Sequence, residues 1–263
     1  MSAPLSRLAL RVAQILALPV FLIVLWWYLS RANTSLFVPT PGTIAGVFGE
    51  VWTPERLRTD ALPSVLRLLA GFSLAGVLGI ALGVLIGSSP RLRAFSEPVL
   101  EFFRAIPPPV LVPVLILFAG IDSTMKVAVI ISGCIWPILL NTVEGVRAVD
   151  PVLADTCRSY GIRGGTRLRT LVLRSASPQI MAGLRQALSI AIILMVISEM
   201  FAASSGLGFT IVQFQRGFAI PEMWTGIVLL GLLGFGLAMV FGVVERRVLS
   251  WYLGLRRAAR GSN

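Results

Sequence analysis

Six stretches of roughly 20 residues each carry at most two charged side chains, and this pattern constrains the fold most strongly. A helix rises 1.5 Å per residue, so such a stretch is long enough to cross a hydrocarbon core about 30 Å thick. The sequence therefore predicts an all-α membrane protein with six transmembrane helices. The predicted spans are residues 12–29, 64–86, 98–119, 125–143, 180–203 and 223–244.

Composition and charge distribution agree with a membrane protein and predict its orientation. Only 13% of the 263 residues are charged, whereas soluble domains have roughly 25%. The net charge of +11 would fit nucleic-acid binding, but the basic residues are unevenly placed between the spans. With a cytoplasmic N terminus, fifteen basic residues lie inside and five outside, as the positive-inside rule requires. The interpretation is therefore a single transmembrane domain, residues 1–263, with both termini cytoplasmic and no nucleic-acid partner.

Several kinds of chemistry are excluded by residue types that the chain lacks. The sequence contains no histidine, which removes the usual metal clusters, Ser/His dyads and histidine proton relays. The only lysine, Lys126, follows Met125 rather than glycine, so the chain has no ATP-binding P-loop. The two cysteines, Cys134 and Cys157, lie in different environments and predict no disulfide. We expect no catalytic residue, no metal site and no bound cofactor in this chain.

Charged residues within the spans are candidate pathway residues, because a charge inside a bilayer normally needs a partner or water. Arg67 and Glu199 lie toward the outer ends of two spans, where they could form an ion pair or line an outer gate. Glu101 and Arg104 are spaced i, i+3 near the inner end of the third span, a separation at which helix side chains meet. Arg185 also lies toward the cytoplasm. Snorkelling or a packing salt bridge is the open alternative for each of them.

Glycines predict close helix packing in the second span, and prolines predict a broken helix in the third. The second span carries three glycines at four-residue intervals, which form a smooth strip for close helix packing: Gly79, Gly83 and Gly87. The third span carries four prolines within seven residues, so its helix must be broken or begin late: Pro107, Pro108, Pro109 and Pro113. Such a span either lies in the protein interior near a pathway or consists of an interfacial segment before a shorter helix.

A basic loop, residues 149–178, lies between the fourth and fifth spans. Asp150-Pro151 is a typical helix start, and Leu153, Cys157 and Tyr160 then fall on one face, where we expect them to hold the helix. The sequence GIRGG breaks this helix before TRLRTLVL starts another. The pattern predicts a helix–turn–helix unit outside the membrane. From the residues alone, it is either an amphipathic hairpin held by anionic lipid or a protein-docking element.

The loop resembles the cytoplasmic EAA loop of ABC importer permeases, in which Glu-Ala-Ala is followed at fixed spacing by glycine, isoleucine and Leu-Pro. The matching positions are Asp155, Thr156, Cys157, Gly161, Leu171 and Leu173, followed by SPQIMAGLRQAL. Five residues depart from the pattern: Asp155 replaces glutamate, Thr156 and Cys157 replace the alanines, Leu171 replaces isoleucine, and Arg174 replaces proline.

Other segments extend the resemblance over residues 36–246. FVPTPGTI, PVLEFFRAIPPPVLVPVLILFAGI and SEMFAASSGLGFTI occur in the order and spacing of the permeases for nitrate, alkanesulfonates and taurine. The resemblance implies a type I ABC importer permease fold with a cytoplasmic coupling helix. The implied coupling residues are Leu153, Ala154, Asp155, Thr156, Cys157, Arg158, Ser159, Tyr160 and Gly161. Arg67, Glu101, Arg104, Arg185 and Glu199 fall where relatives commonly carry the same residue types.

The resemblance also implies the partners. They are a second permease copy, a cytoplasmic ATPase dimer that holds ATP and Mg, a periplasmic or lipid-anchored substrate-binding protein, and the lipid of a bacterial inner membrane. The implied function is import by alternating access of a small solute such as nitrate, a sulfonate or taurine. The alternative from another class is a stand-alone secondary transporter or channel. An intramembrane enzyme has almost no candidate residues.

Overall fold

Helices joined by short turns make up the computed structural model, which describes residues 3–32, 35–201, 203–252 and 254. The helices are α1 Ala3–Ala32, α2 Pro41–Val51, α3 Pro54–Gly87, α4 Pro90–Ala105, α5 Pro108–Ala119, α6 Ser123–Arg147, α7 Pro151–Ser159, α8 Gly164–Phe201, α9 Leu207–Arg216 and α10 Ile220–Val248. Two of them contain a π-helical turn, at Leu57–Ala61 in α3 and at Leu168–Val172 in α8.

Four of these helices, α3, α6, α8 and α10, are long and apolar enough to cross a membrane. The pair α4 and α5 adds a fifth span if it is counted as one, although its two helices meet at 81°. In α1, the apolar part of the described chain is Leu16–Ala32, which is shorter than the other spans. The chain therefore has the all-helical, multi-span architecture that was predicted. The count of six spans and the cytoplasmic position of both termini remain predictions.

The glycine strip on α3 packs directly against α6, as predicted. A Cβ built on Gly79 would lie 2.9 Å from Cγ2 of Ile138, and one built on Gly83 would lie 2.6 Å from Cβ of Thr142. Both distances are shorter than real Cβ contacts allow, so the two backbones approach as closely as glycine permits. Because the contact recurs every four residues along both helices, α3 and α6 are held in one register.

The opposite face of α6 packs against α8 through small residues of both helices. A Cβ on Gly183 of α8 would lie 2.7 Å from the carbonyl oxygen of Pro137, and one on Gly145 of α6 would lie 3.0 Å from Cβ of Ala176. Met125, among other α6 residues, is fully buried in the main hydrophobic cluster. The helix α6 is therefore the centre of the fold, with α3 and α8 on either side.

The predicted break in the third span lies between α4 and α5. The residue before a proline is disfavoured in helical conformation, and Ile106 accordingly has extended backbone ahead of Pro107. One turn of 3₁₀-helix, Pro108–Leu111, then leads into the short helix α5. The helix α4 has no buried residue, whereas Val112 at the start of the regular part of α5 is fully buried. In the single chain, α4 therefore lies on the surface, whereas α5 packs on the core through the buried Val112 and the partly buried Leu115, Ile116 and Ala119.

Candidate functional site

A buried carboxylate connects the ends of several helices at the face of the molecule opposite the basic loop. Glu199 near the end of α8 is fully buried, and its carboxylate accepts hydrogen bonds from Ser64 Oγ at 2.8 Å, Arg67 Nη1 at 2.9 Å and the backbone N–H of Gly208 at 3.1 Å. Of the two possibilities for Arg67 and Glu199, an ion pair or an outer gate, the ion pair is present in the structure. Three donors therefore satisfy the hydrogen-bonding capacity of this buried carboxylate without contact with water.

Glycines in the turn before α9 make room for this carboxylate. Gly206 has φ of +125°, a conformation that disfavours any side chain, and the Cβ of an alanine at Gly208 would lie 2.6 Å from the carbonyl oxygen of Val196. The first turn of α9 therefore lies against Glu199, where the positive end of the helix dipole favours an anion. Ser64 Oγ also accepts a hydrogen bond from the N–H of Leu207, at 3.0 Å, which ties α9 to α3.

The arginine of this cluster reaches two further elements. Arg67 Nε donates to Ser123 Oγ at the start of α6, at 3.0 Å, and Nη1 donates to the carbonyl oxygen of Ser205 at 3.3 Å. Lys126 of α6 is buried beside the same groups, with Arg67, Glu199 and Asp122 as its charged neighbours. Residues of α3, the start of α6, the end of α8 and the start of α9 thus share one polar cluster.

A cavity of about 630 Å³ lies where the broken span meets α6 and α8. Its polar lining consists of Arg104, Asn141, Glu144 and Gln186, and its apolar lining is Pro108, Pro109, Gly133, Trp136, Pro137, Leu140, Ile190, Ile193 and Leu194. The break after α4 brings the proline rings against α6, and Trp136 stacks on Phe103 of α4 with ring centroids 6.2 Å apart. A largely apolar cavity with a few polar groups has the general character of a small-molecule site.

The five predicted pathway residues lie in three places: the polar cluster around Glu199, the cavity, and the surface. Arg104 lines the cavity and pairs with Glu101 at 2.6 Å, as the i, i+3 spacing predicted, while Glu101 itself is outside the lining. Arg185 pairs with Glu245 of α10, also outside the cavity lining. The structure therefore brings Arg67 together with Glu199 and places Arg104 at the cavity. The assignment of all five to a pathway or gate remains a prediction.

The predicted coupling helix is α7, and its ends follow the sequence signals. Asp150 caps its start by accepting a hydrogen bond from the N–H of Val152 at 2.7 Å, and Pro151 occupies the first position. At the other end, the N–H of Ile162 donates to the carbonyl oxygen of Cys157 at 2.8 Å while Gly161 adopts φ of +66°. This arrangement is the left-handed glycine termination common at helix ends.

The apolar face of α7 is largely exposed in the single chain. Leu153 is 49% exposed and Tyr160 is 80% exposed, while Cys157 is half-buried, and α7 contains no buried residue. Asp155 pairs with Arg158 on the same exposed helix. The structure therefore covers this face only partly, at Cys157, and the expectation that Leu153, Cys157 and Tyr160 hold the helix stays a prediction.

The second arm of the predicted hairpin is part of a spanning helix rather than a separate element. TRLRTLVL continues without a break into α8 through the π-helical turn, and Leu171 and Val172 in that turn are buried against the core. Arg174, which stands where the loop pattern has proline, places its guanidinium 5.6 Å from the ring centroid of Trp251. The connection from α7 to the core is therefore one short turn followed by a continuous helix.

Comparison with known proteins identifies the family to which this chain belongs. The sequence model of the family described as "Binding-protein-dependent transport system inner membrane component" matches residues 76–250, a range that includes the cavity lining, α7 and the polar cluster from Ser123 onward. The chain belongs to this family. It is a permease subunit of an ABC importer, a multi-pass membrane protein and not an enzyme, because ATP hydrolysis in such systems resides in a separate subunit.

Curated relatives of the permease cover nearly its whole length. A Bacillus subtilis permease named for aliphatic sulfonate transport, SsuC, is 29% identical over 238 residues, which are 90% of this chain and 86% of that protein. The Escherichia coli taurine transport system permease protein TauC is 28% identical over 240 residues, 88% of this chain and 86% of that protein. The permease therefore falls in the nitrate, sulfonate and taurine group.

A solved structure shares the fold of the permease. The chain of an inward-facing conformation of the MetNI methionine ABC transporter superposes with a TM-score of 0.57 at 18% identity, over 75% of the permease and 99% of that chain. ATPase and substrate-binding-protein partners follow from the family.

Sequence reasoning missed residues that act through tertiary contacts. Ser64 begins the second predicted span and gave no signal of its contact with Glu199, 135 residues away. Asn141 and Gln186 are polar residues within spans, and that rarity was the signal that could have marked them as cavity residues. Glu245 lies just beyond the last predicted span, opposite the otherwise unpaired Arg185.

Proposed function

We propose that two copies of this permease form the pathway of an importer that carries a small organosulfonate or a similar anion by alternating access. In this proposal, the whole chain, residues 1–263, is one transmembrane domain with six crossings and cytoplasmic termini in a bacterial inner membrane. The exposed apolar face of α7 is the observation that carries the coupling role. The names of the curated relatives, sulfonate and taurine permeases, support the solute class.

Coupling follows from how α7 is joined to the core. In the proposed complex, Leu153, Cys157 and Tyr160 enter a groove of the ATPase subunit, which covers the apolar surface that the chain leaves open. ATP and Mg are bound by that partner, and closure of the ATPase dimer moves α7. Because only a short turn separates α7 from the continuous helix α8, the displacement reaches the core. The two conformations need only differ in affinity for the ATPase and the binding protein.

The solute path in this proposal includes the cavity beside the broken span. Arg104, which pairs with Glu101, supplies a cation at the cavity, and the carboxylate of Glu144 in the same lining is paired with Arg147. Asn141 and Gln186 supply neutral hydrogen-bonding groups among apolar walls. These groups suit a small anion whose oxygens accept hydrogen bonds. No residue of the chain forms a covalent bond with the solute.

Uptake by a reconstituted complex tests the function. The permease, its ATPase and its binding protein are placed in proteoliposomes, and entry of labelled taurine, methanesulfonate, nitrate or bicarbonate is measured with and without ATP. The expected result is ATP-dependent entry of at least one of these anions that requires the binding protein. Solute flux through the permease alone would instead establish a secondary transporter or channel.

A variant pair tests the cavity. Arg104→Gln removes the cation at the cavity, and Arg91→Gln removes an exposed cation of the same helix that is outside the lining. We expect Arg104→Gln alone to reduce anion uptake while both variants assemble normally. Equal uptake by the two variants would remove Arg104 from the pathway.

A further inference from the structure

Lys126 is the least expected cation of the chain. It is the only lysine among 23 basic residues, so every other positive position is arginine. It lies in the first turn of α6 and is only 3% exposed. A lysine is seldom this buried unless it is paired, because taking its charge out of water is costly.

The surroundings of Lys126 do not supply such a pair. Within the described residues, its ammonium has no hydrogen bond and no ion pair within 4 Å, and its charged neighbours are Arg67, Glu199 and Asp122. The carboxylate of Glu199 is already occupied by three donors, one of them from Arg67. Asp122 precedes α6 without forming a side-chain cap.

The position of Lys126 adds to the local positive charge. The first turn of α6 is the positive end of a 25-residue helix dipole, where an anion is favoured and a cation is not. A second cation, Arg67, reaches the same turn through Ser123 Oγ. Two cations and a helix N terminus therefore converge where one carboxylate is engaged and a second lies outside ion-pair distance.

We propose that the outer ends of α3 and α6 form an anion site, in which Lys126, Arg67 and the first turn of α6 bind the sulfonate or other oxyanion group of the transported solute. This inference rests on the proposed function, since it names where the solute is first bound on the outer side. The site is closed in this structure, because Lys126 is buried and the side chain of Arg67 is only 12% exposed.

The turn before α9 is the element that closes the site. Ser205 contacts Arg67 through its carbonyl oxygen at 3.3 Å and its Oγ at 3.4 Å, the longest hydrogen bonds that Arg67 makes. Hydrogen bonds weaken at such distances, so this is the contact of Arg67 that separates most easily. Withdrawal of the turn uncovers Arg67 and Lys126 together.

An anion that binds the uncovered site shifts the equilibrium between the closed and open conformations of the permease. In the closed state the Lys126 side chain is 3% exposed and its ammonium has no hydrogen bond to the described residues, whereas the open state exposes it fully to water and solute. An anion that binds only the open state shifts the population toward that state. Arrival of the solute therefore favours opening of the outer end by itself, in addition to the effect of ATP on the ATPase side.

Chemical labelling of Lys126 tests the anion site, because this chain contains no other lysine. The complete importer in nanodiscs is treated with sulfosuccinimidyl acetate, either nucleotide-free or trapped with a non-hydrolysable ATP analogue, and the peptide containing Lys126 is quantified by mass spectrometry. We expect acetylation to rise on trapping. We expect methanesulfonate to slow it about tenfold relative to chloride at equal ionic strength, within the usual range of coupling between ligand and conformation.

A second measurement uses variants of the trapped complex. Methanesulfonate is expected to raise the thermal midpoint of the native importer and of Lys126→Arg, and to leave that of Lys126→Met unchanged. Arg216→Met, which removes an exposed cation at the end of α9, is the control and should keep the full shift.

The outcomes separate this inference from the proposed function. An importer that takes up anions with ATP but shows equal acetylation of Lys126 in methanesulfonate and chloride would refute the anion site and leave the function standing. Absence of ATP-dependent uptake would refute the function, while the labelling result would still decide whether Lys126 binds an anion. Should Lys126→Met fail to fold, labelling of the native lysine decides the question alone.

Discussion

Nη1 of Arg67 lies 2.9 Å from Oε1 of Glu199, across 132 residues of sequence, and joins α3 to the end of α8 that is distant from α7. Glu199 is fully buried, so this ion pair is sheltered from the water and salt that weaken surface pairs. The pair also fixes the turn before α9, because Arg67 bonds Ser205 and Glu199 bonds Gly208. It is therefore a central contact of the outer end of the fold.

Removal of Arg67 alone should be strongly destabilising. Arg67→Met leaves the buried carboxylate of Glu199 without its charge partner, which typically costs about 3–5 kcal/mol. Adding Glu199→Gln to this variant removes the unpaired charge, and we expect the double variant to be more stable than Arg67→Met. Thermal unfolding in detergent measures the native protein, the single variants Arg67→Met and Glu199→Gln, and the double variant. Additive losses from the two substitutions would contradict a direct interaction.

Two glycines of α3 should respond oppositely to the same change. Gly83→Ala places a Cβ 2.6 Å from Thr142 and should cost about 1–3 kcal/mol, because α3 and α6 must separate. Gly76→Ala places its Cβ 3.6 Å from Cδ2 of Leu184, an ordinary contact, and should be neutral or stabilise by up to about 1 kcal/mol. Melting temperatures of the two variants provide the comparison, and equal values would show that the strip does not set helix separation.

Gly161 should be required for its backbone conformation alone. A Cβ there meets no atom within 4 Å, but φ of +66° costs a non-glycine residue roughly 1–2 kcal/mol. Gly161→Ala should therefore weaken the stimulation of the ATPase by the permease, while Gly161→Asn, which tolerates this conformation, should weaken it less. Gly165→Ala is the control, since it is also open but lacks positive φ. A loss with Gly165→Ala equal to that with Gly161→Ala would point to a general effect on the loop.

The exposed face of α7 should affect partner binding without affecting stability. Leu153→Ala removes an exposed side chain, so the melting temperature of the permease alone should not change. Its affinity for the ATPase should fall about tenfold, corresponding to about 1.4 kcal/mol, as for a contributing interface residue. Leu36→Ala, at a side chain 85% exposed outside the loop, is the matched control. Co-purification and titration measure the affinity, and unchanged binding by Leu153→Ala would exclude this residue from the contact.

Features carried by a local stretch of sequence were predictable. A spanning helix is recognisable from its own apolar residues, and the start and end of α7 follow from Asp150-Pro151 and Gly161 within one or two residues. The pairing of Arg67 with Glu199 was predictable because charges within a membrane need partners and these two lie at the same depth.

Features that depend on packing between helices were not predictable. Ser64, Asn141 and Gln186 acquire their contacts from neighbours distant in sequence, and nothing near them specifies those neighbours. The continuity of TRLRTLVL with α8 was missed because its arginines and Pro178 indicate an end to the span. The helix α8 contains these arginines and Pro178 without ending. The arginines precede its apolar part, and Pro178 lies only five residues after Leu173, where the regular α-helical segment of α8 starts.

The length of α8 has a mechanical consequence. This helix begins at Gly164, three residues after Gly161 terminates α7, and ends just beyond Glu199, so it holds α7 at one end and the buried carboxylate near the other. Its 38 residues measure about 57 Å at 1.5 Å per residue. A tilt of about 5° then moves one end by about 5 Å relative to the other, by the same geometry. A displacement of that size exceeds the reach of the hydrogen bonds around Glu199, so a tilt of α8 that starts at the α7 end is large enough to break them.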